Sequence, residues 1–220
     1  MAASKTESQV RTEIVDAAMR LWQRGLVAGS SGNISVKLDD GDILVTPSGR
    51  SLERLTPSDI VRVAPIGGAR DANQRPSSEL PLHLAAYRAR PDALALVHTH
   101  PTACVIWSKR GRLFARDTVG AMETLGAVGW VPYAAAGSAE LAESGAEIFA
   151  RGVDTILMER HGLSVIADSL ERAFILTDLA EESARIALGA VQPSPLYSSM
   201  QGKPGGEDEE PHMPPYRAIF

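Results

Sequence analysis

His98 and His100 stand two residues apart at the end of the apolar run Leu94-Ala95-Leu96-Val97. On a strand that spacing sends both imidazoles from one face, with Cβ atoms about 6 to 7 Å apart at ~3.3 Å rise per residue. Two imidazoles so placed can converge on one cation, although His-x-His pairs also occur as plain polar residues at a strand end. His161, in Glu159-Arg160-His161-Gly162 between two β-like runs, offers a third ring nitrogen. Three imidazoles leave a coordination position open, as catalytic zinc sites do. The chain has five histidines, and these three carry the metal reading. His83 lies on an expected helix and reads as a structural or supporting group. His212 lies near the C-terminus and reads as solvated. Glu79 is the candidate base; without its neighbours it would read as a partner for a helix dipole.

Three short turns rich in glycine and hydroxyls precede the metal motif: Gly29-Ser30-Ser31-Gly32-Asn33, Thr46-Pro47-Ser48-Gly49 and Ser77-Ser78. Each alone is an ordinary turn or cap. Together they suggest a phosphate cradle of backbone N–H groups and hydroxyls, with the third turn opening a helix whose N-terminus favours an anion.

These residues must be positioned by a scaffold. The spacing of Val10, Ile14, Ala17 and Leu21 predicts a helix over Thr6 to Arg24, stopped by Gly25. Asn33–Leu38 and Ile43–Thr46 read as a hairpin turning at Asp39-Asp40-Gly41-Asp42. A short helix capped by Thr56 and a strand over Ile60–Ala64 follow. A helix is expected over Leu80–Arg90, a strand over Leu94–His100, and a further helix after Pro101. Val128–Val131, Thr155–Glu159 and Leu163–Ala167 read as strands. Ser138 caps a helix ending near Gly152, and Asp168 with Glu171 reads as a capping box for a helix reaching about Gly189. The irregular alternation with a hairpin indicates a layered α/β domain over residues 1–191, with a mixed or largely antiparallel sheet. Residues 192–220, rich in Pro, Gly, Ser and acids, read as an irregular or mobile tail.

Composition bounds the partners. A net charge of −5 argues against a general nucleic-acid surface, so no nucleic-acid partner is expected. No apolar run reaches the ~18 to 20 residues of a membrane span. Met1 to Val10 lacks the apolar core of a signal peptide. With Cys104 as the only cysteine, no internal disulfide can form, and Cys104 reads as a small buried hydrophobe. The expected location is the cytoplasm, with no membrane partner.

The order Gly25 to Ser35 (Gly-Leu-Val-Ala-Gly-Ser-Ser-Gly-Asn-Ile-Ser), Val45-Thr46-Pro47-Ser48-Gly49, Pro76-Ser77-Ser78-Glu79, Val97-His98-Thr99-His100 and Arg160-His161-Gly162 resembles the class II aldolase/adducin family, nearest the L-fuculose-phosphate aldolase type, over roughly Ile14 to Leu188. The resemblance implies a three-layer α/β/α sandwich with a mostly antiparallel central sheet. It implies a homotetramer with active sites at subunit interfaces. It implies zinc, with Mn2+ or Co2+ as alternatives, on His98, His100 and His161. Glu79 matches the acid/base residue. Gly32, Asn33, Ser48, Gly49, Ser77 and Ser78 match substrate phosphate-binding positions, and Thr46 a nearby turn position. The implied reaction is cleavage of a ketose 1-phosphate, such as L-fuculose 1-phosphate, to dihydroxyacetone phosphate and an aldehyde through a metal-stabilised enediolate. Glutamate at position 79, where related epimerases carry aspartate, favours proton transfer at carbon.

One family feature is missing. The tyrosine that serves the leaving aldehyde's oxygen has no counterpart in Phe114-Ala115-Arg116-Asp117-Thr118-Val119. A second family tyrosine comes from the mobile C-terminal segment, and Tyr197 or Tyr216 is its candidate counterpart here. This leaves a metal-dependent keto-acid decarboxylase as the alternative enzyme. A non-catalytic, adducin-like interaction module is the alternative outside enzymes; retention of three histidines and Glu79 argues against it.

Overall fold

The computed structural model describes residues 5–110 and 118–190. The expected tail, with Tyr197, His212 and Tyr216, and the stretch Phe114 to Asp117 lie outside the described residues. A seven-stranded sheet runs in the order β3-β2-β1-β4-β7-β6-β5. Its strands are β1 (Asn33–Lys37), β2 (Ile43–Val45), β3 (Val61–Val63), β4 (Ala95–Thr99), β5 (Val128–Val131), β6 (Thr155–Met158) and β7 (Gly162–Ala167). Every pairing is antiparallel except β5 with β6.

Five α-helices flank it: α1 (Glu7–Gln23), α2 (Leu80–Ala89), α3 (Thr102–Ser108), α4 (Ala139–Phe149) and α5 (Leu170–Ala190). The two-residue period of the strands divides the core between two faces. Val97 of β4 and Val165 of β7 pack with Ile14 and Leu21 of α1, Trp107 of α3 and Leu176 of α5. Leu96 and Ile166, one residue away, pack with Leu82 and Ala86 of α2 and Leu141 and Phe149 of α4. The result is helices on both sides of a mostly antiparallel sheet. Fully buried side chains such as Phe149 and Leu21 contribute about 1.5 to 3 kcal/mol each before entropy is counted.

Local sequence accounts for the element ends. Thr6 caps α1 in a capping box with Gln9. Ser138 caps α4 by accepting from Leu141 N–H. The box expected from Asp168 and Glu171 does not form. Ser169 Oγ accepts instead from Arg172 N–H, and Glu171 swings away to a bidentate pair with Arg20 on α1. The short helix after Thr56 is a single 3-10 turn, Pro57–Asp59. A π-helical turn, Ala121–Leu125, was not foreseen.

Candidate metal centre

β4 ends at Thr99, so His98 is its last inward residue on the α2 side and His100 lies just beyond the strand. Both rings nonetheless meet, with Nε2 atoms 2.9 Å apart. His161 arrives from the tight connection between β6 and β7. There Arg160 takes a left-handed conformation, φ 56°, and its N–H donates to Ser108 Oγ on α3. The three imidazole centroids are 4.8 to 5.1 Å apart. Glu79, at the start of α2, reaches into the same point: Oε2 is 2.8 Å from His98 Nε2 and Oε1 is 3.1 Å from His161 Nε2. One potential ligand atom from each of the four residues lies within 4.8 Å of every other.

The donor chemistry fits a divalent cation. His98 Nδ1 is 3.0 Å from the Leu163 carbonyl, which can only accept, so Nδ1 carries a hydrogen and Nε2 is the atom turned inward. Nε2 confronts the Glu79 carboxylate and a second imidazole nitrogen at hydrogen-bond range, an arrangement that one shared cation satisfies. Glu79 Oε1 is buried and finds a hydrogen-bond donor only where His161 carries a hydrogen on Nε2. Burial raises the Glu79 carboxyl pKa, but the charge of His98 and hydrogen bonds from His161 and His98 outweigh it and hold the group well below the usual carboxylate range. Burial, then the charges of His98 and His161, push His100 down to about 3, so its ring is neutral near pH 7 and could serve as a ligand.

Glycine is required where the backbone crowds the centre. A Cβ on Gly162 would meet Thr99 O at 2.3 Å and His100 Cδ2 at 2.8 Å. Gly32, at φ 80°, would meet Val27 Cγ1 at 2.6 Å and His98 O at 3.0 Å.

A cavity of about 200 Å³ opens above Glu79, His100 and His161, with His98 buried beneath them, and is walled by Ser30, Ser31, Gly32, Asn33, Ser48, Gly49, Ser77 and Ser78. The three hydroxyl-rich turns therefore converge, as their types suggested. Thr46 laces them: it exchanges backbone hydrogen bonds with Ile34 and Ser77, and its hydroxyl accepts from Ile34 N–H. The expectation of free N–H groups at the start of α2 fails, however. Glu79 N–H donates to Ser77 Oγ, Leu80 N–H to Ser77 O and Leu82 N–H to Glu79 O, while Pro81 has none. An anion in this cavity depends on the loops, not on the helix end. A roomier cavity of about 470 Å³ lies at the far edge of the sheet, lined by Asp40, Asp42, Arg62 and Arg70, whose charges pair with one another.

Asn33 does not point simply at the cavity: its Nδ2 donates to Glu79 Oε2 at 3.0 Å, and its Oδ1 lies 2.5 Å from His83 Nε2. Ser35, Tyr87 and Ser164, which touch this network or His98, were missed in the sequence. Their signal was spacing: Asn33 and Ser35 are the polar alternates of β1, and Glu79, His83 and Tyr87 recur every fourth residue along α2. Glu181 was also missed; this buried carboxylate on α5 accepts from Ala103 and Cys104 N–H and so fixes the start of α3 just after His100.

Residues 12–188 match the family described as the class II aldolase and adducin N-terminal domain. The chain belongs to this family. It is 33% identical over 188 residues to the 3-oxo-tetronate 4-phosphate decarboxylase of Escherichia coli K12, covering 83% of this chain and 88% of that one. It is 33% identical over 195 residues to the L-fuculose phosphate aldolase of the same strain, covering 87% and 89%. Among solved structures, Escherichia coli YgbL superposes with a TM-score of 0.80 at 32% identity, covering 86% of this chain and 93% of that one. An L-fuculose 1-phosphate aldolase superposes at 0.77 and 27% identity, covering 91% and 97%. As a class II aldolase family member the protein is a metal-dependent lyase, which sets aside a purely non-catalytic adducin-like module. No helix among the described residues is long and apolar enough to cross a membrane.

Proposed function

We propose that this protein is an aldolase that cleaves a ketose 1-phosphate to dihydroxyacetone phosphate and an aldehyde, using Zn2+ held by His98, His100 and His161. The observation that carries this reading is the meeting of those rings with Glu79, where Glu79, His100 and His161 line a cavity walled by Gly32, Asn33, Ser48, Gly49, Ser77 and Ser78. When bound, the cation supplies Lewis-acid stabilisation for negative charge developing on substrate oxygens. The loop hydroxyls and N–H groups orient the phosphate. As the carbon–carbon bond breaks, its electron pair stays with the carbon next to the carbonyl, the hydroxyl proton of the half that leaves as aldehyde passes to Glu79 Oε1, and Glu79 returns it to that carbon. In condensation the same oxygen removes that proton. The proposed assembly is a homotetramer with active sites at its interfaces, working in the cytoplasm, where a lone buried Cys104 stays reduced.

A second reading is a decarboxylase of a phosphorylated keto acid, in which loss of CO2 leaves an enolate that Glu79 protonates in the same way. The absence of a tyrosine from Phe114 to Val119 favours it, together with likeness to a 3-oxo-tetronate 4-phosphate decarboxylase. The zinc-loaded protein, assayed with L-fuculose 1-phosphate and related ketose 1-phosphates for dihydroxyacetone phosphate, and with 3-oxo-tetronate 4-phosphate for CO2, separates them. Formation of dihydroxyacetone phosphate supports the first reading. CO2 release without any ketose cleavage replaces it with the second.

A further inference from the structure

Behind Glu79 a buried file of polar groups runs back from the cavity wall at Asn33. Tyr87 OH is 2.8 Å from Ser35 Oγ and 3.0 Å from Ser35 O; Ser35 Oγ is 2.6 Å from His83 Nδ1; His83 Nε2 is 2.5 Å from Asn33 Oδ1; Asn33 Nδ2 is 3.0 Å from Glu79 Oε2. Asn33, Ser35, Glu79, His83 and Tyr87 are all buried. Such a file would be expensive in an apolar core unless every member were satisfied.

The chemistry of its ends fixes the direction of every bond. Asn33 Nδ2 donates to Glu79 Oε2, so the amide presents its oxygen to His83. His83 then donates from Nε2. Burial pushes its pKa down to about 3, so the ring is neutral and Nδ1 is an acceptor. Ser35 gives its single hydroxyl hydrogen to Nδ1, and Tyr87 donates to Ser35. Every hydrogen thus points toward the carboxylate.

We propose that His83, locked as the Nε2–H tautomer by Ser35 and Tyr87, is a positioning residue that acts through Asn33 to hold Glu79 by Oε2 and leave Oε1 for the proton. The proposal rests on the assignment of Glu79 as the proton-transfer group. His83 touches neither substrate nor the three other histidines' ligand atoms; its effect is on orientation. It also gives Asn33 a second duty beside the phosphate site. Without the His83 donor, the amide of Asn33 can rotate and present its oxygen to a carboxylate, which repels it.

Neutron diffraction from deuterium-exchanged crystals of the zinc-loaded protein reads the tautomer directly. A deuteron on His83 Nε2 and none on Nδ1 is expected; a deuteron on Nδ1, or on both, overturns the proposal. Its kinetic arm uses whichever substrate the assay above turns over. His83→Leu should lower kcat about 10- to 100-fold, while KM and zinc content stay within about two-fold. His83→Gln, which keeps a donor and an acceptor, should recover part of the loss. Ser35→Ala, one step further out, should give a smaller fall in kcat and serves if His83 variants do not fold. Unchanged kcat in His83→Leu, or equal loss in the Leu and Gln variants, contradicts the proposal. If no phosphorylated substrate is turned over by the parent protein, the proposed function fails while the deuteron positions still decide the relay.

Discussion

Ser164 is the cross-strand partner of His98, and its hydroxyl lies 2.9 Å from His98 Nδ1. The same nitrogen is 3.0 Å from the Leu163 carbonyl, so two groups on β7 share the task of turning Nε2 toward the centre. On the other side of β4, Asn33 is also paired with His98. The sheet therefore aligns the Asn33 amide, the His98 imidazole and the Ser164 hydroxyl in one row across three strands.

Ser164→Ala should lower zinc affinity by about 10-fold, near the low end for groups behind a ligand, because the Leu163 carbonyl remains. Competition with a chromophoric chelator measures it. Affinity equal to that of the parent would mean that the carbonyl alone orients His98.

Gly162→Ala should be poorly tolerated, since the added Cβ has Thr99 O at 2.3 Å and His100 Cδ2 at 2.8 Å as neighbours. Overpacking of this kind costs about 1 to 3 kcal/mol. Denaturant unfolding of the metal-free protein isolates the backbone cost, and zinc titration reports the displacement of His100. An unaltered midpoint together with unaltered zinc binding would contradict the close approach.

The convergence of His98, His100, His161 and Glu79 was readable from the chain because histidine, glutamate and hydroxyl-rich turns occur in a fixed order, and because Leu96-Val97-His98 alternates as a strand must. The helices also followed from periodicity, as in Val10, Ile14, Ala17 and Leu21 of α1, whereas their division between the two faces of the sheet followed from the family resemblance. What escaped reading depends on long-range contacts. Glu171 could serve its own helix or Arg20, and the ion pair with α1 wins. Glu181 looks like an exposed helical acid until α3 is seen to need its carboxylate. The start of α2 promised free N–H groups, but Ser77 folds back to take them.

Asp42 should mark the acid limit of stability. It is buried, and Arg70 and then Arg62 hydrogen-bond its carboxylate and hold its pKa down to about 2, below the usual 3.8. A depressed carboxyl pKa contributes stability that is complete above pH ~4 and is lost as the pH falls through about 2. Urea unfolding at pH 5 and at pH 2.5 should show a smaller pH-dependent loss in Asp42→Asn than in the parent. The variant should also be less stable at pH 5 by about 2 kcal/mol, since it weakens charge-assisted hydrogen bonds. Parallel losses in the two proteins would remove Asp42 from this role.

Glu79→Gln should bind zinc through the three histidines yet lower kcat by about 10²- to 10⁴-fold, the range for loss of a proton-transfer group. The comparison is made at equal zinc occupancy. A near-normal rate would show that another group moves the proton.

The central claim is that His98, His100 and His161 hold one catalytic cation beside Glu79. Diffraction data collected on either side of the zinc absorption edge test it most directly. The account predicts a single anomalous peak about 2.0 to 2.1 Å from each of the three Nε2 atoms. Zinc bound elsewhere, with no peak among these three nitrogens in the fully loaded protein, would contradict it.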